Sequence, residues 1–426
     1  MGRLARNAGI LLAGNLLAAV CGLVCHVLAA RTLGPERYGI LALIITYGLV
    51  INGLASFQSW KALVRYGARC LERGRREDFR SLMKFGLVLD LGGSFLGTVT
   101  GVAGVVILGR IRGWDQETVF LAALYSGSIL FHSCGTPLAV LRLFDRFDLN
   151  AAQLAGAAMV RMGAVIALAV SRAGLRAFVW AWFLTEIFGY LLTILWGWRE
   201  YRRRRFGSVL RAPLQGIPAK FTGIWRFVWS TNFQFSLKLG VKELDVLVVG
   251  GLLGPAAAGV YKIAKQFTRI MDRFTDPLNQ SVYPALAKSW VRKDYSGFRK
   301  LMIRPALALA VVGVLVWTVF LAAGPRILIL TVGGRYAGAY FPILVLMAGM
   351  LVAAATFPLE PALLAMGRAD ESFQAFAWAS LLYFGLLAVL TKAWGITGAT
   401  LSSLGFYSIW ALLLARKIRG RLKQPA

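Results

Sequence analysis

Residues 229–284 read WSTNFQFSLKLGVKELDVLVVGGLLGPAAAGVYKIAKQFTRIMDRFTDPLNQSVYP. Two apolar-rich segments flank a short hinge, Leu253-Gly254-Pro255 to Gly259. Within them sit Lys238, Lys242, Glu243 and Asp245, then Lys262, Lys265, Arg269, Asp272, Arg273 and Asp276. Each segment is long enough to cross a hydrocarbon core of about 30 Å, which takes roughly 20 residues of helix. A charge at that depth costs about 2.5–3.5 kcal/mol on the gentler scale, so such side chains face a water-filled cavity or one another. The stretch therefore reads as two membrane helices with charged faces, and function is expected there.

The rest of the chain has the same character. It is 58% hydrophobic over 426 residues, far beyond a soluble composition. The net charge of +29 would suit a nucleic-acid binder if it formed a patch. Instead the bases fall mostly between apolar segments, the pattern of a polytopic membrane protein. No nucleic-acid partner is expected. The first residues, MGRLARNAGILLAGNLLAAVCGLVCHVLAAR, start like a signal peptide, but the apolar run is too long and more spans follow. It is read as a first helix. Cys21, Cys25, Cys70 and Cys134 show no metal or disulfide spacing, and Cys21 and Cys25 read as small packing residues.

Helices are expected near 8–30, 38–58, 83–109, 117–141, 150–171 and 176–198, then near 226–252, 259–284, 301–323, 338–358, 371–391 and 395–415. The fold class is an all-α polytopic membrane protein with about twelve transmembrane helices. With the N-terminus cytoplasmic, the inside loops hold Lys61 to Arg80, Arg142, Arg146, Arg199 to Lys220, Lys288 to Arg304, Arg368 and the tail from Arg416. The outside keeps only Arg31, Arg37, Arg110, Arg112, Arg172, Arg176, Arg326, Arg335 and Lys392. The positive-inside rule then places both termini in the cytoplasm. The run Arg202-Arg203-Arg204-Arg205 reads as an orientation signal in contact with anionic headgroups.

The two halves repeat. Leu33-Gly34-Pro35-x-x-x-Gly39 returns as Leu253-Gly254-Pro255-x-x-x-Gly259, and Phe79-Arg80-Ser81-Leu82-Met83 as Phe298-Arg299-Lys300-Leu301-Met302. Pro137-Leu138-Ala139 is answered by Pro361-Ala362-Leu363. The offsets, 220, 219 and 224 residues (253−33, 298−79 and 361−137), are nearly one value. Six helices per half give the copies one orientation, as two lobes related along the membrane normal, with a transport path between them. The divisions are a six-helix lobe at 1–198, a basic linker at 199–225, a second lobe at 226–415 and a basic tail at 416–426. Both Leu-Gly-Pro copies are expected to be tight turns at the outer ends. There proline stops helix continuation, and Gly39 and Gly259 allow close approach.

Lys238, Lys242 and Asp245 follow i, i+4, i+7 and share a helix face. Lys262, Lys265, Arg269, Arg273 and Asp276 make a second stripe, whose cations span about 16 Å of depth. A graded cationic lining suits a phosphate or pyrophosphate, which Arg grips bidentately and Lys attracts as a point charge. Lys242, Lys265 and Arg269 lie nearest the midplane and are the expected phosphate ligands. Lys238 and Arg273 would recruit cargo at the cytoplasmic mouth, Lys262 would meet it near the watered exit, and Asp245 would hold Lys242. A second reading stays open, a structural ladder pairing Asp245 with Lys242, Asp272 with Arg269 and Asp276 with Arg273. Lys238 and Lys265 have no evident local partner in it. Elsewhere Asn15, His26, Asp90, Arg161 and Glu186 are isolated. His26 reads as headgroup-facing, and Arg161 and Glu186, on adjacent helices, can pair. With no P-loop, no metal-ligand cluster and two histidines, the chain reads as no enzyme and as needing no cofactor.

Several stretches resemble one family. Arg31-Thr32-Leu33-Gly34-Pro35-Glu36-Arg37-Tyr38-Gly39, after a helix with Gly14-Asn15, looks like the opening motif of bacterial polysaccharide and O-antigen-type flippases, which share a superfamily with multidrug exporters. Lys242-Glu243-Leu244-Asp245, Leu253-Gly254-Pro255 and Gly259-Val260-Tyr261 are similar to the opening of that family's second lobe. Tyr283-Pro284-Ala285-Leu286-Ala287 resembles the end of its eighth helix. The resemblance implies alternating access through a central cationic cavity that turns a polyprenyl-pyrophosphate-linked oligosaccharide across the bacterial inner membrane. Polysaccharide polymerase and glycosyltransferases are the implied partners. Cavity residues on helices one, two, seven and eight are implied too, yet helices one and two hold few charges here, so the cavity would be lopsided. The twelve-helix count is below that of the peptidoglycan-precursor branch and argues against it. An ion-coupled drug exporter of the same superfamily and a non-catalytic component of a polysaccharide-assembly complex are the alternatives. The excess of bases opposes cationic drugs.

Overall fold

The computed structural model describes the backbone of residues 2–422 and the side chains of residues 9–269 and 282–420. The described residues form helices and connections without strands. In chain order these are α1 (Gly2–Ala55), α2 (Ser59–Glu72), α3 (Arg76–Arg112), α4 (Gln116–Ser126), α5 (Gly135–Leu143), α6 (Phe147–Val170), α7 (Leu175–Arg203) and α8 (Ile217–Lys220). There follow α9 (Ile224–Leu253), α10 (Pro255–Val291), α11 (Tyr295–Thr331), α12 (Tyr340–Thr356), α13 (Leu359–Ala365) and α14 (Ala369–Leu422).

Helix occupies each of the twelve expected positions, consistent with about twelve membrane helices. Seven helical stretches are long and apolar enough to cross a membrane, or eight if the bent pair around residues 131–135 is one span. Two of them hold two helices each. The helix from Gly2 breaks at Gly34 (φ 76°), and the one from Ala369 breaks at Trp394 and Gly395. The charged α9 and α10 complete the set.

One expected helix is not continuous. Residues 117–141 form α4, a 3-10 turn at Gly127–Phe131, and α5, with a 41° bend. A break at membrane depth frees backbone donors that lipid cannot satisfy. Here Asp90 reaches over from α3. Its Oδ2 accepts from the Thr136 amide at 2.6 Å and from the Thr136 hydroxyl at 2.7 Å, and its Oδ1 accepts from Ser59. Asp90, isolated in the sequence reading, caps α5 from another helix. Arg161 and Glu186 do pair, at 2.6 Å, joined by Thr185 and Tyr190. His26 packs against the Trp182 ring with centroids 5.8 Å apart.

The chain forms two compact units, Met1–Thr32 with Leu43–Leu244, and Leu33–Ala42 with Asp245–Ala426. These do not follow the divisions at 1–198, 199–225 and 226–415. The first half of α9 packs on the first unit, with Trp229 edge-on to Phe57 and Leu239 filling the space beside Gly53. Residues 199–225 are no free linker either. Arg80 donates to Ser208 O, Lys84 to both Leu210 O and Ala212 O, and Tyr66 to Thr222 O. Lys220 pairs with Asp78 at 2.9 Å. Val209, Ile217, Phe221 and Ile224 are buried among Leu63, Phe79, Leu82 and Met83. The segment is a strap whose backbone carbonyls are held by basic side chains. The amphipathic α2, unforeseen in the sequence, supplies Ala62, Leu63, Tyr66 and Cys70 to the same core.

In the second unit the two Leu-Gly-Pro turns meet. Gly34 and Gly254 both have positive φ (76° and 90°) with ψ near 172°, and the proline that follows each opens the next helix. A Cβ on Gly39 would overlap the Pro255 carbonyl, and one on Gly259 would overlap the Pro35 carbonyl. Each repeat's glycine thus receives the other repeat's proline carbonyl. The sequence reading of paired close-approach turns holds, and their common partner is each other.

Candidate functional site: a buried ion pair and a basic-aromatic cluster

α9 and α10 are joined at the Gly254-Pro255 turn, so residues equidistant from it come level. Asp245 lies ten residues before Pro255 and Lys265 ten after it (255−245 and 265−255). Lys265 Nζ is 2.7 Å from both Asp245 carboxylate oxygens. Tyr261 OH donates to Asp245 Oδ2 at 2.7 Å, and the Val246 amide to Oδ1 at 2.8 Å. Asp245 is 2% exposed. A buried carboxylate needs a cation and several donors, and this one has them.

This corrects two expectations. Asp245 pairs with Lys265 across the turn, not with Lys242 along its own helix, and Lys265 does have a carboxylate partner. Sequence spacing along one helix sees only neighbours three or four apart. Burial rewards the partner on the facing helix. Lys262 is also corrected, for at 2% exposed it is buried and not bathed at a watered exit. Arg269 is partly buried, and Glu243 is 5% exposed. The Arg273 side chain lies outside the described residues, as do Asp272 and Asp276.

Lys238 and Lys242 belong to the first unit and are exposed. Lys238 lies within Coulomb reach of Lys61, which in turn lies near Arg142. The sequence reading had placed Lys61 and Arg142 among the orientation charges of the inside loops. The fold brings them onto one ring. Lys61 Nζ is 5.6 Å from the Trp60 ring centroid and 5.9 Å from that of Phe235, and the Arg142 guanidinium carbon is 3.8 Å from Trp60. Nearby, Arg65 covers Phe227 at 4.7 Å. The sequence signal was weak, a Ser-Trp-Lys start to a helix after the Ser56–Gln58 break.

A separate groove of about 240 Å³ lies between α6 and α7, lined by Arg146, Leu149, Trp196, Arg199, Glu200 and Arg203. There the buried Glu200 pairs with both Arg146 (3.2 Å) and Arg204 (2.9 Å), so part of its charge is spent internally.

The model of a family described as "Polysaccharide biosynthesis protein" matches residues 4–290. The chain belongs to the polysaccharide biosynthesis protein family. It is 30% identical over 335 residues to the inner membrane protein YghQ of Escherichia coli (strain K12), covering 79% of this chain and 94% of that one. Among solved structures, an inward-facing multidrug resistance MATE transporter of the MOP superfamily superposes with TM-score 0.77 at 13% identity, over 96% of both chains. The lipid II flippase MurJ in an inward closed conformation gives TM-score 0.73 at 12% identity, over 96% of this chain and 87% of that one. At such identities the likeness shows the fold alone. The chain thus has several helices long and apolar enough to cross a membrane, and it shares the fold of these two solved structures.

Proposed function

We propose that the protein is a flippase that turns a polyprenyl-pyrophosphate-linked oligosaccharide across the inner membrane by alternating access through a cationic cavity. Glycosyltransferases make such a cargo and a polysaccharide polymerase consumes it. The observation that carries the reading is the charge of α9 and α10. Lysines at membrane depth are costly, yet Lys238 and Lys242 stand exposed on α9, and Lys265 and Arg269 continue the basic character on α10. Substrate contact is assigned to Lys238, Lys242, Lys265, Arg269 and Arg273, with Asp245 setting the position of Lys265. The prenyl chain stays in lipid while the diphosphate follows the bases. Two six-helix lobes would carry the rocking motion. An exporter of cationic drugs would need acids where these bases stand.

The test is transport by purified protein in liposomes loaded with a prenyl-diphosphate disaccharide, read by access of an impermeant glycosidase to the outer leaflet. Wild type is expected to flip the lipid, and Lys242→Glu to slow it at least tenfold, about 1.4 kcal/mol of lost transition-state stabilisation, without loss of inserted protein. Wild-type liposomes that leave the lipid unflipped but extrude an organic cation down an ion gradient would sink the flippase reading.

Orientation follows the charge bias, with both termini in the cytoplasm. Reporter fusions should place Arg204 inside and Glu36 outside. A periplasmic signal at Arg204 would reverse the assignment.

A further inference from the structure

In the first unit, most bases with structural tasks hold a protein oxygen, although the Arg80 Nε, like that of Arg142, is buried without a hydrogen-bond partner. Lys84 holds two carbonyls, Arg80 one, Lys220 a carboxylate, and Arg161 a carboxylate and a hydroxyl. Lys61 and Arg142 differ. Among the described residues neither forms an ion pair, and the Arg142 Nε is buried without a hydrogen-bond partner. Both rest on the one Trp60 indole. The Ser59 hydroxyl beside them already donates to Asp90, whose other oxygen is taken by Thr136, so that carboxylate is committed to the α5 cap.

An indole face attracts a cation by about 0.5–2 kcal/mol, but it neutralises no charge. Two cations held on one ring repel each other, and Lys238 adds a third within reach. A fold that keeps such a set together gains most from an anion that bridges it. Arginine keeps up to five donors in a planar fork, lysine three, and a phosphate has enough acceptor oxygens for both at once. The ring surfaces of Trp60 and Phe235 beside the cations give apolar walls for what the phosphate is attached to, a sugar face or the first prenyl unit.

We propose that Lys61 and Arg142, set on Trp60 and joined by Lys238, form a loading site in the first unit for the diphosphate of a prenyl-linked sugar. The site rests on the flippase reading and extends it to residues outside α9 and α10. The same phosphate chemistry is offered by bulk anionic lipid, and the experiment separates the two.

Full-length protein in phosphatidylcholine nanodiscs is titrated with a polyprenyl diphosphate, with inorganic pyrophosphate, and with phosphatidylglycerol, and binding is read by native mass spectrometry. Lys61→Ala with Arg142→Ala should weaken polyprenyl diphosphate binding about 10- to 100-fold, the loss expected for two charge-assisted contacts. Its binding of phosphatidylglycerol should stay near the wild-type level. Arg142→Lys, which keeps the charge but loses the fork, should fall between. Should the double variant fail to insert, Lys61→Gln alone is judged by the same measure. Unchanged polyprenyl diphosphate affinity in a variant, with wild type still flipping its cargo, overturns the loading site and leaves the flippase reading intact. Equal losses for phosphatidylglycerol make the cluster a bulk-lipid anchor and overturn the cargo assignment. Absence of any polyprenyl diphosphate binding to wild type overturns both readings.

Discussion

Lys265→Met is expected to cost about 3–5 kcal/mol of stability, because it strands a carboxylate inside the second unit. Asp245 would keep the Tyr261 hydroxyl and one backbone amide, but no cation among the described residues, for a full negative charge. The readout is the thermal midpoint of detergent-solubilised protein together with the amount inserted in the membrane, and both should fall steeply. Tyr261→Phe, which removes one donor, should cost only about 0.5–1.5 kcal/mol. The double change Asp245→Leu with Lys265→Met removes both charges, and replacing a buried pair by apolar groups is often neutral. It should therefore recover much of the midpoint. Export separates the two roles of the pair. If the double variant folds but does not flip cargo, Lys265 acts on the cargo as well as on Asp245. If flipping returns with the fold, the pair is structural and both residues leave the proposed site. A swap between Lys242 and Asp245, the test that helix spacing would recommend, addresses no contact that Asp245 makes here.

The crossing of the two turns supports the second large effect. Gly39→Ala should destabilise by more than the 1–3 kcal/mol usual for overpacking. The added methyl would occupy the place of the Pro255 carbonyl, and neither backbone can rotate aside as a side chain would. Gly259→Ala should behave alike against Pro35. The two variants share one crossing, so their combined effect should be less than the sum. Gly163→Ala is the control. That glycine sits inside α6 with nothing near its added methyl, and alanine should stabilise the helix by up to about 1 kcal/mol. A Gly39→Ala protein that melts with the wild type would mean that the turns do not cross as described.

Some of this was decided by sequence alone, for a physical reason. A bilayer is a local constraint: each span must bring about 20 apolar residues and satisfy its own backbone, so the twelve helices can be read one at a time. The breaks at Gly34 and Gly254 are local too. A proline in the first helical turn after a glycine that tolerates positive φ specifies a turn wherever it falls. The repeat itself needed only the comparison of one half with the other. The pairing of Arg161 with Glu186 was legible because few charges lie at that depth.

The partners of most charged groups were not legible, because in a low-dielectric interior pairing follows which groups are buried face to face, and that is set by tertiary packing. Spacing along α9 favoured Lys242 for Asp245. The turn at Pro255 brought Lys265 level instead. Loop charges were read as orientation signals, which is what the bilayer reads. Only the fold could gather Lys61 and Arg142 on Trp60, or tie Arg80 and Lys84 to the carbonyls of residues 208–212. Asp90 shows the same division. Its cost at membrane depth was visible in the sequence, but the freed amide that repays it lies forty-six residues away, at Thr136, on a helix that only the folded chain brings near.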